Sequence, residues 1–124
     1  MAHILLIDDD QGVRYLLRSY LEMDGHHIME AENGQDGIKI GCSGHFDLVF
    51  TDMIMPEKDG IEVIMELLES HPQLKIIAIS GGGRGLDAQF NLQIAEDFGA
   101  LGTIAKPFDR ETVMTMVNQL LYAS

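Results

Sequence analysis

The chain is poor in positive charge: eight lysines and arginines stand against twenty aspartates and glutamates, a formal net charge of -12. Nucleic acid and anionic membranes are bound chiefly through clusters of Lys and Arg, so this surface is expected to repel both. No basic stripe and no basic-aromatic interleaving offsets that balance, and no direct nucleic-acid contact is expected. Cysteine is nearly missing. Cys42 alone cannot close an internal disulfide, which suggests a reducing compartment. It has no evident activating base and reads as structural. No apolar run approaches the ~20 residues of a membrane span. Asp8-Asp9-Asp10 interrupts the first apolar stretch too early for a signal peptide. No membrane association and a cytoplasmic location are therefore expected. The five histidines lack metal-ligand spacing and read as surface or edge residues. Gly81-Gly82-Gly83 is no P-loop, because the G-x-x-x-x-G-K-[ST] pattern is absent.

What is present is alternation. The 124 residues, 46% of them hydrophobic, suit one domain over 1–124 with a core that needs no staples. Strand signals fall at Ile4–Ile7, His26–Ala31, Leu48–Thr51, Ile76–Ile79 and Leu101–Ala105. Between and after them run amphipathic patterns. The first carries Val13, Leu16, Leu17, Tyr20 and Leu21; the third, Ile61, Ile64, Met65 and Leu68. The fourth runs from a cap at Asp87 through Ile94, Ala95 and Phe98 to Gly99. The last carries Val113, Met116, Val117, Leu120 and Leu121. Asp10, Asn33 and Asp109 are placed to cap helices, and Asp59-Gly60 leads into the third. The second helix is weakened by Gly37 and Gly41. Methionines fall mostly on helical faces or in loops, where core filling is the default. There is no linker, repeat or low-complexity segment.

Strand-helix alternation implies a parallel sheet covered on both faces, with right-handed crossovers. Buried central strands read as continuous apolar runs and edge strands as short and more polar. Strands one, three and four are then central, two and five at the edges, in the order 2-1-3-4-5. Ligands of such sheets bind beyond the carboxyl ends of the strands where the order reverses, here between strands one and three. Asp8, Asp9 and Asp52 meet at that point, flanked by Ser80 and Lys106.

Three neighbouring carboxylates raise one another's pKa unless a cation intervenes. Mg2+ suits such a site, taking oxygen ligands and commonly a phosphate oxygen. A carboxylate can also attack phosphorus and form an aspartyl-phosphate. Lys106 would add a positive centre, and the Ser80 hydroxyl a hydrogen bond to a phosphoryl oxygen. The bland reading of each residue is weaker in company: Asp10 suits a cap, but Asp8 and Asp9 precede it with no cap to fill.

The set Leu5-Leu6-Ile7-Asp8-Asp9-Asp10, Asp52-Met53-Ile54-Met55-Pro56 with Asp59-Gly60, Ser80, and Lys106-Pro107 resembles the receiver domain of two-component response regulators over essentially the whole chain. The resemblance implies a flavodoxin-like doubly wound five-stranded sheet with five helices and a stand-alone receiver with no second domain. It also implies that Asp52 accepts a phosphoryl group from the phosphohistidine of a histidine kinase or histidine phosphotransfer protein. Asp8, Asp9 and Asp52 would hold Mg2+ together with the main-chain carbonyl of Ile54. Ser80 would be the switch hydroxyl. Lys106 would bind the phosphoryl group, with a cis bond to Pro107. Output to a downstream protein target would run through the 80–90 loop and the face of the fourth helix, fifth strand and fifth helix. Such a domain signals and is not an enzyme beyond its own phosphorylation and dephosphorylation.

Two departures stand out. Thr103 occupies the position, three before the lysine, where the family usually has Tyr or Phe. The stretch from Ser80 to Lys106 is also longer than usual and opens with three glycines. Two other readings remain. Asp8-x-Asp10 looks like the start of a haloacid-dehalogenase hydrolase, although the following motif position, a cap domain and the late acidic pair are missing. A receiver that is never phosphorylated is the other; it must explain why every acidic position, Ser80 and Lys106 are present.

Overall fold

The computed structural model describes residues 1–81 and 85–122, with backbone alone over 85–89. Its elements run β1 (His3–Ile7), α1 (Gln11–Met23), β2 (His27–Ala31), α2 (Gly34–Ser43), β3 (Leu48–Asp52), α3 (Gly60–Ser70), β4 (Lys75–Ser80), α4 (Gly85–Asp97), β5 (Gly102–Ala105) and α5 (Arg110–Tyr122). All strands are parallel, in the order β2-β1-β3-β4-β5, the flavodoxin-like arrangement. No described helix is long and apolar enough to cross a membrane.

Period-two alternation along the central strands splits the core into two layers. Ile4, Leu6, Leu48, Phe50, Ile77 and Ile79 face one side and pack against α1 and α5 through Leu17, Leu21, Val113 and Val117. Leu5, Ile7, Val49, Ile76 and Ala78 face the other and meet Val63, Ile64, Leu67 and Ala95. β1, β3 and β4 are almost wholly buried; β2 and β5 alternate with exposed or half-buried positions, as edge strands should.

Helix starts follow side-chain chemistry. Asp10 accepts from the Gly12 and Val13 amides at 2.8 and 3.3 Å, Asn33 from Asp36 at 2.7 Å, Asp59 from Glu62 at 3.1 Å and Asp109 from Thr112 at 2.8 Å. Each satisfies an amide that the first turn leaves without a partner. The expected start at Asp87 is corrected: α4 begins at Gly85, so Asp87 falls in its first turn, a position that favours acidic residues much as a cap does. Gly99, at φ 118°, ends the chain's excursion after α4.

The helix faces differ from the periodic reading in particulars. Leu16 and Met65 are exposed, and Phe98 is 45% exposed; the buried faces instead use Leu17 with Leu21, and Val63 with Leu67. An i, i+3, i+4 stripe is wider than the strip of helix a sheet covers, so its flank residues turn outward. The glycines expected to weaken α2 are what lets it lie close. A Cβ on Gly37 would come within 2.5 Å of Ile7 Cδ1, and one on Gly41 within 2.5 Å of Leu67 Cδ2.

Candidate functional site

Register assembles the site. Ile7 pairs with Thr51, which sets Asp8 beside Asp52, and Asp52 itself pairs with Ile79. Main-chain bonds then lock the strand ends: Asp8 N donates to Ala31 O at 3.2 Å, Met53 N to Ile79 O at 2.9 Å and Lys106 N to Ser80 O at 2.8 Å. The five residues singled out from sequence therefore meet at one end of the sheet. Asp8, Asp52 and Ser80 are buried, while Asp9 is exposed. One carboxylate oxygen from each of Asp8, Asp9 and Asp52 lies within 4.8 Å of the others.

Lys106 reaches over this cluster. Its Nζ stands 3.2 Å from Asp8 Oδ2 and 3.7 Å from Asp52 Oδ2. The peptide bond to Pro107 is cis. One cation does not neutralise three carboxylates. Burial, then the Asp8 charge, pushes the Asp52 carboxyl up to about 6, against the pull of Lys106 and of the Ile54 amide that donates to it. Burial likewise raises Asp8, opposed by its bond from the Asp10 amide, at 2.9 Å, and by Lys106. In both residues desolvation is the largest cause.

Two oxygens fit a further ligand. Among the described residues, Asp8 Oδ2 and Ser80 Oγ are buried with no hydrogen-bond partner; the Lys106 contact to Asp8 Oδ2 is an ion pair without hydrogen-bond alignment. Buried polar atoms left unpaired are costly and uncommon. An all-oxygen set of two buried carboxylates and one exposed carboxylate suits a hard divalent cation such as Mg2+ far better than a thiolate-seeking metal. The residues present fit that ion.

Arg14, Arg18 and Glu30, which position the site, were not singled out from sequence. Arg14 on α1 donates from Nη1 to the Asp8 carbonyl at 2.6 Å and from Nε to Glu30 at 2.9 Å; Arg18 Nη1 holds the second Glu30 oxygen at 2.6 Å. Burial pushes the Glu30 carboxyl up, but the two arginines outweigh it and hold it below the usual range. Gly60 permits α3 to start against the end of β3: a Cβ there would come within 2.6 Å of both Asp52 O and Met53 Cα. Gly81 clears a path for Lys106, whose Nζ would lie 2.9 Å from a Cβ at that position. A scan for charge pairs between the first helix and the second strand could have found Arg14 and Glu30. Gly60 and Gly81 stand in stretches the sequence marks, but the close approaches they allow are not legible there, because the atoms they meet lie elsewhere in the chain.

Other expected positions fall as follows. Ile54 lies at the rim with its side chain 60% exposed. Thr103, half-buried on β5, pairs with Ala78. Asp10 is committed to the α1 amides and not to the cluster, which leaves the hydrolase pattern without its second aspartate. The loop expected to carry the switch, 80–90, includes residues 82–84, which lie outside the described residues.

A family model described as the response regulator receiver domain matches residues 4–118. Among curated proteins, the transcriptional regulatory protein SrrA of Staphylococcus aureus is 35% identical over 118 residues, 95% of this chain and 47% of SrrA. The chain thus spans about half the length of the curated relatives it matches. Among solved structures, the response regulator TrrA of Thermotoga maritima, in complex with Mg(2+)-BeF, is 31% identical with a TM-score of 0.80, over 98% of this chain and 100% of that one. A receiver domain protein from Clostridium thermocellum is 27% identical with a TM-score of 0.88, covering 98% and 94%.

Proposed function

Because the chain belongs to the response regulator receiver family of two-component systems, we propose that it accepts a phosphoryl group on Asp52 from a phosphohistidine of a histidine kinase or phosphotransfer protein, in a Mg2+-dependent reaction. One observation carries this reading. Asp52 is buried with a pKa raised to about 6, beside a lysine that also ion-pairs Asp8, and beside a Ser80 hydroxyl without a hydrogen-bond partner among the described residues. A buried carboxylate so placed costs stability unless something further binds there.

The transfer is a displacement at phosphorus. A carboxylate oxygen of Asp52 forms the new P–O bond as the P–N bond breaks, and the imidazole leaves with that electron pair. Asp8, Asp9 and Asp52, with the Ile54 carbonyl, would hold Mg2+, which when bound supplies neutralisation of the charge on the transferring group. Lys106 places its ammonium beside the phosphoryl oxygens. Ser80 offers its free hydroxyl to one of them, which biases the chain toward its signalling state through the 80–90 loop and the α4-β5-α5 face. With Thr103 in place of an aromatic residue, the switch relies on Ser80 and that loop. The donor and a downstream protein target are the expected partners, with no direct nucleic-acid or membrane contact, in the cytoplasm. Transcriptional regulation is what the name of SrrA, a longer protein, says of that protein.

The test is incubation with acetyl phosphate and Mg2+, followed by intact mass. One phosphoryl adduct is expected, absent without Mg2+ and lost in Asp52→Asn. An adduct that survives in Asp52→Asn but needs Asp8 would establish the hydrolase reading instead. No adduct, together with BeF3- leaving the amide spectrum unchanged, would make the chain a receiver that is never phosphorylated.

A further inference from the structure

All five histidines gather at the end of the sheet opposite the carboxylates, on β1, at β2, before β3 and after α3. Two have a ring nitrogen engaged within the fold: His26 Nδ1 accepts from Ala2 N at 3.2 Å, and His71 Nε2 lies 3.1 Å from Cys42 O. The other three, His3, His27 and His45, are exposed. The parallel register makes His3 and His27 direct neighbours on β1 and β2. Their rings stack at 4.9 Å between centroids, 22° from parallel. His45 lines the same cleft, of about 540 Å³, whose floor is Ile28, Ile40 and Phe46. The backbone beneath is fixed, because His3 N donates to Asp47 Oδ2 at 2.8 Å.

The geometry points to a second metal site here: a borderline divalent transition-metal ion, of which Zn2+ is the type, held by His3 and His27 with water completing its coordination. Imidazole nitrogens select Zn2+, Cu2+ or Ni2+ over Mg2+. Two tetrahedral Zn–N bonds of ~2.0–2.1 Å set their nitrogens about 3.4 Å apart. The stacked rings stand on directly paired residues of adjacent strands, so rotation of the two side chains is the movement that would bring a nitrogen of each to that separation. Both donors sit on hydrogen-bonded strands, so little chain entropy is lost on closing the site. The chain's charge of -12 favours cation uptake further. The site is independent of the carboxylate cluster: β1 rises ~3.3 Å per residue, which separates His3 from Asp8 by about 17 Å.

The experiment is a calorimetric Zn2+ titration of the whole chain in saturating Mg2+, with imidazole nitrogen spectra recorded in parallel. One Zn2+ is expected to bind and to shift the ring resonances of His3 and His27. His3→Gln and His27→Gln should each weaken binding at least about tenfold, since loss of a ligand costs no less than loss of a group supporting one. His71→Gln should leave affinity unchanged. Both decisive positions are exposed, and circular dichroism checks that the variants remain folded. Wild-type affinity in the His3→Gln/His27→Gln double variant would overturn the site, as would loss of zinc binding only in Asp9→Asn. Unshifted His3 and His27 resonances at saturation would overturn it too.

Discussion

The two ends of one sheet carry opposite solutions to the same problem. At the carboxyl end, Asp8 and Asp52 are buried, crowded and incompletely partnered, and both titrate above the ordinary carboxylate range. At the amino end, His3, His27 and His45 sit exposed at the surface. Burial raises both carboxyls at the first end, whereas the three exposed imidazoles at the second are not desolvated by the fold. The comparison teaches where binding changes stability. A cation at the carboxylates relieves a penalty that folding has already incurred, whereas one at the histidines adds only its own affinity.

The largest effect should come from removing a charge that the fold was built to hold. Asp8→Asn keeps the oxygen that accepts from the Asp10 amide but removes one negative ligand. Mg2+ affinity, read by calorimetry, should fall at least about 100-fold, more than loss of a supporting group costs. Asp52→Asn tests the penalty itself. Its folded pKa, about 6, lies above the ordinary 3.8, so its contribution to stability is present below pH ~4 and is lost as pH rises through 6. In EDTA at pH 7, urea unfolding should therefore show Asp52→Asn more stable than wild type by about 2–3 kcal/mol. The gain should disappear near pH 4; an equal gain there would remove the electrostatic explanation.

Gly60→Ala asks whether the carboxyl end depends on close approach of backbone. With main-chain atoms in the way on both sides, the substitution should cost about 1–3 kcal/mol, and Mg2+ affinity should drop with it as Asp52 is displaced. Arg14→Ala is gentler. It frees the Asp8 carbonyl and leaves Glu30 to Arg18, so Mg2+ affinity should fall about tenfold with a smaller change in urea midpoint. The smallest effect belongs to the other end. His27→Gln should change stability by no more than about 0.5 kcal/mol; a larger loss would mean that the histidine end is also a structural support.

Much of this was legible in the sequence because it depends on short-range pattern. Apolar runs ending in Asp8, Asp52 and Ser80 mark strands whose ends must carry the site, and polarity alone separated β2 and β5 from the centre. Caps at Asp10, Asn33 and Asp109 are local chemistry and read directly. What escaped depends on distances that only the sheet creates. Gly37, read as a weakness in its helix, is a contact surface for Ile7. Arg14 looks like any helical arginine until β2 brings Glu30 beside it. Leu16 and Leu17 are indistinguishable by hydropathy, and only the position of the sheet decides that Leu17 faces inward. The histidines read as surface or edge residues, and His3, His27 and His45 are exposed, but only the parallel register places His3 against His27. Spacing along the chain does not show which residues meet across neighbouring strands.

The hydrogen bond from Lys106 N to Ser80 O, at 2.8 Å, has a mechanical consequence. It ties the main chain of Ser80 to that of Lys106 as the two tines of a single fork, with the β4-β5 ladder as its handle. Each side chain can turn toward a guest alone, but a pull that moves one main chain loads the other. The force enters β4 and β5 together, and each strand leads into a helix, α4 or α5. Edge strand β5 has a neighbour on one side only, so it is the compliant half of that fork. A small inward pull at the carboxyl end would be felt there as a tilt of the sheet's outer margin.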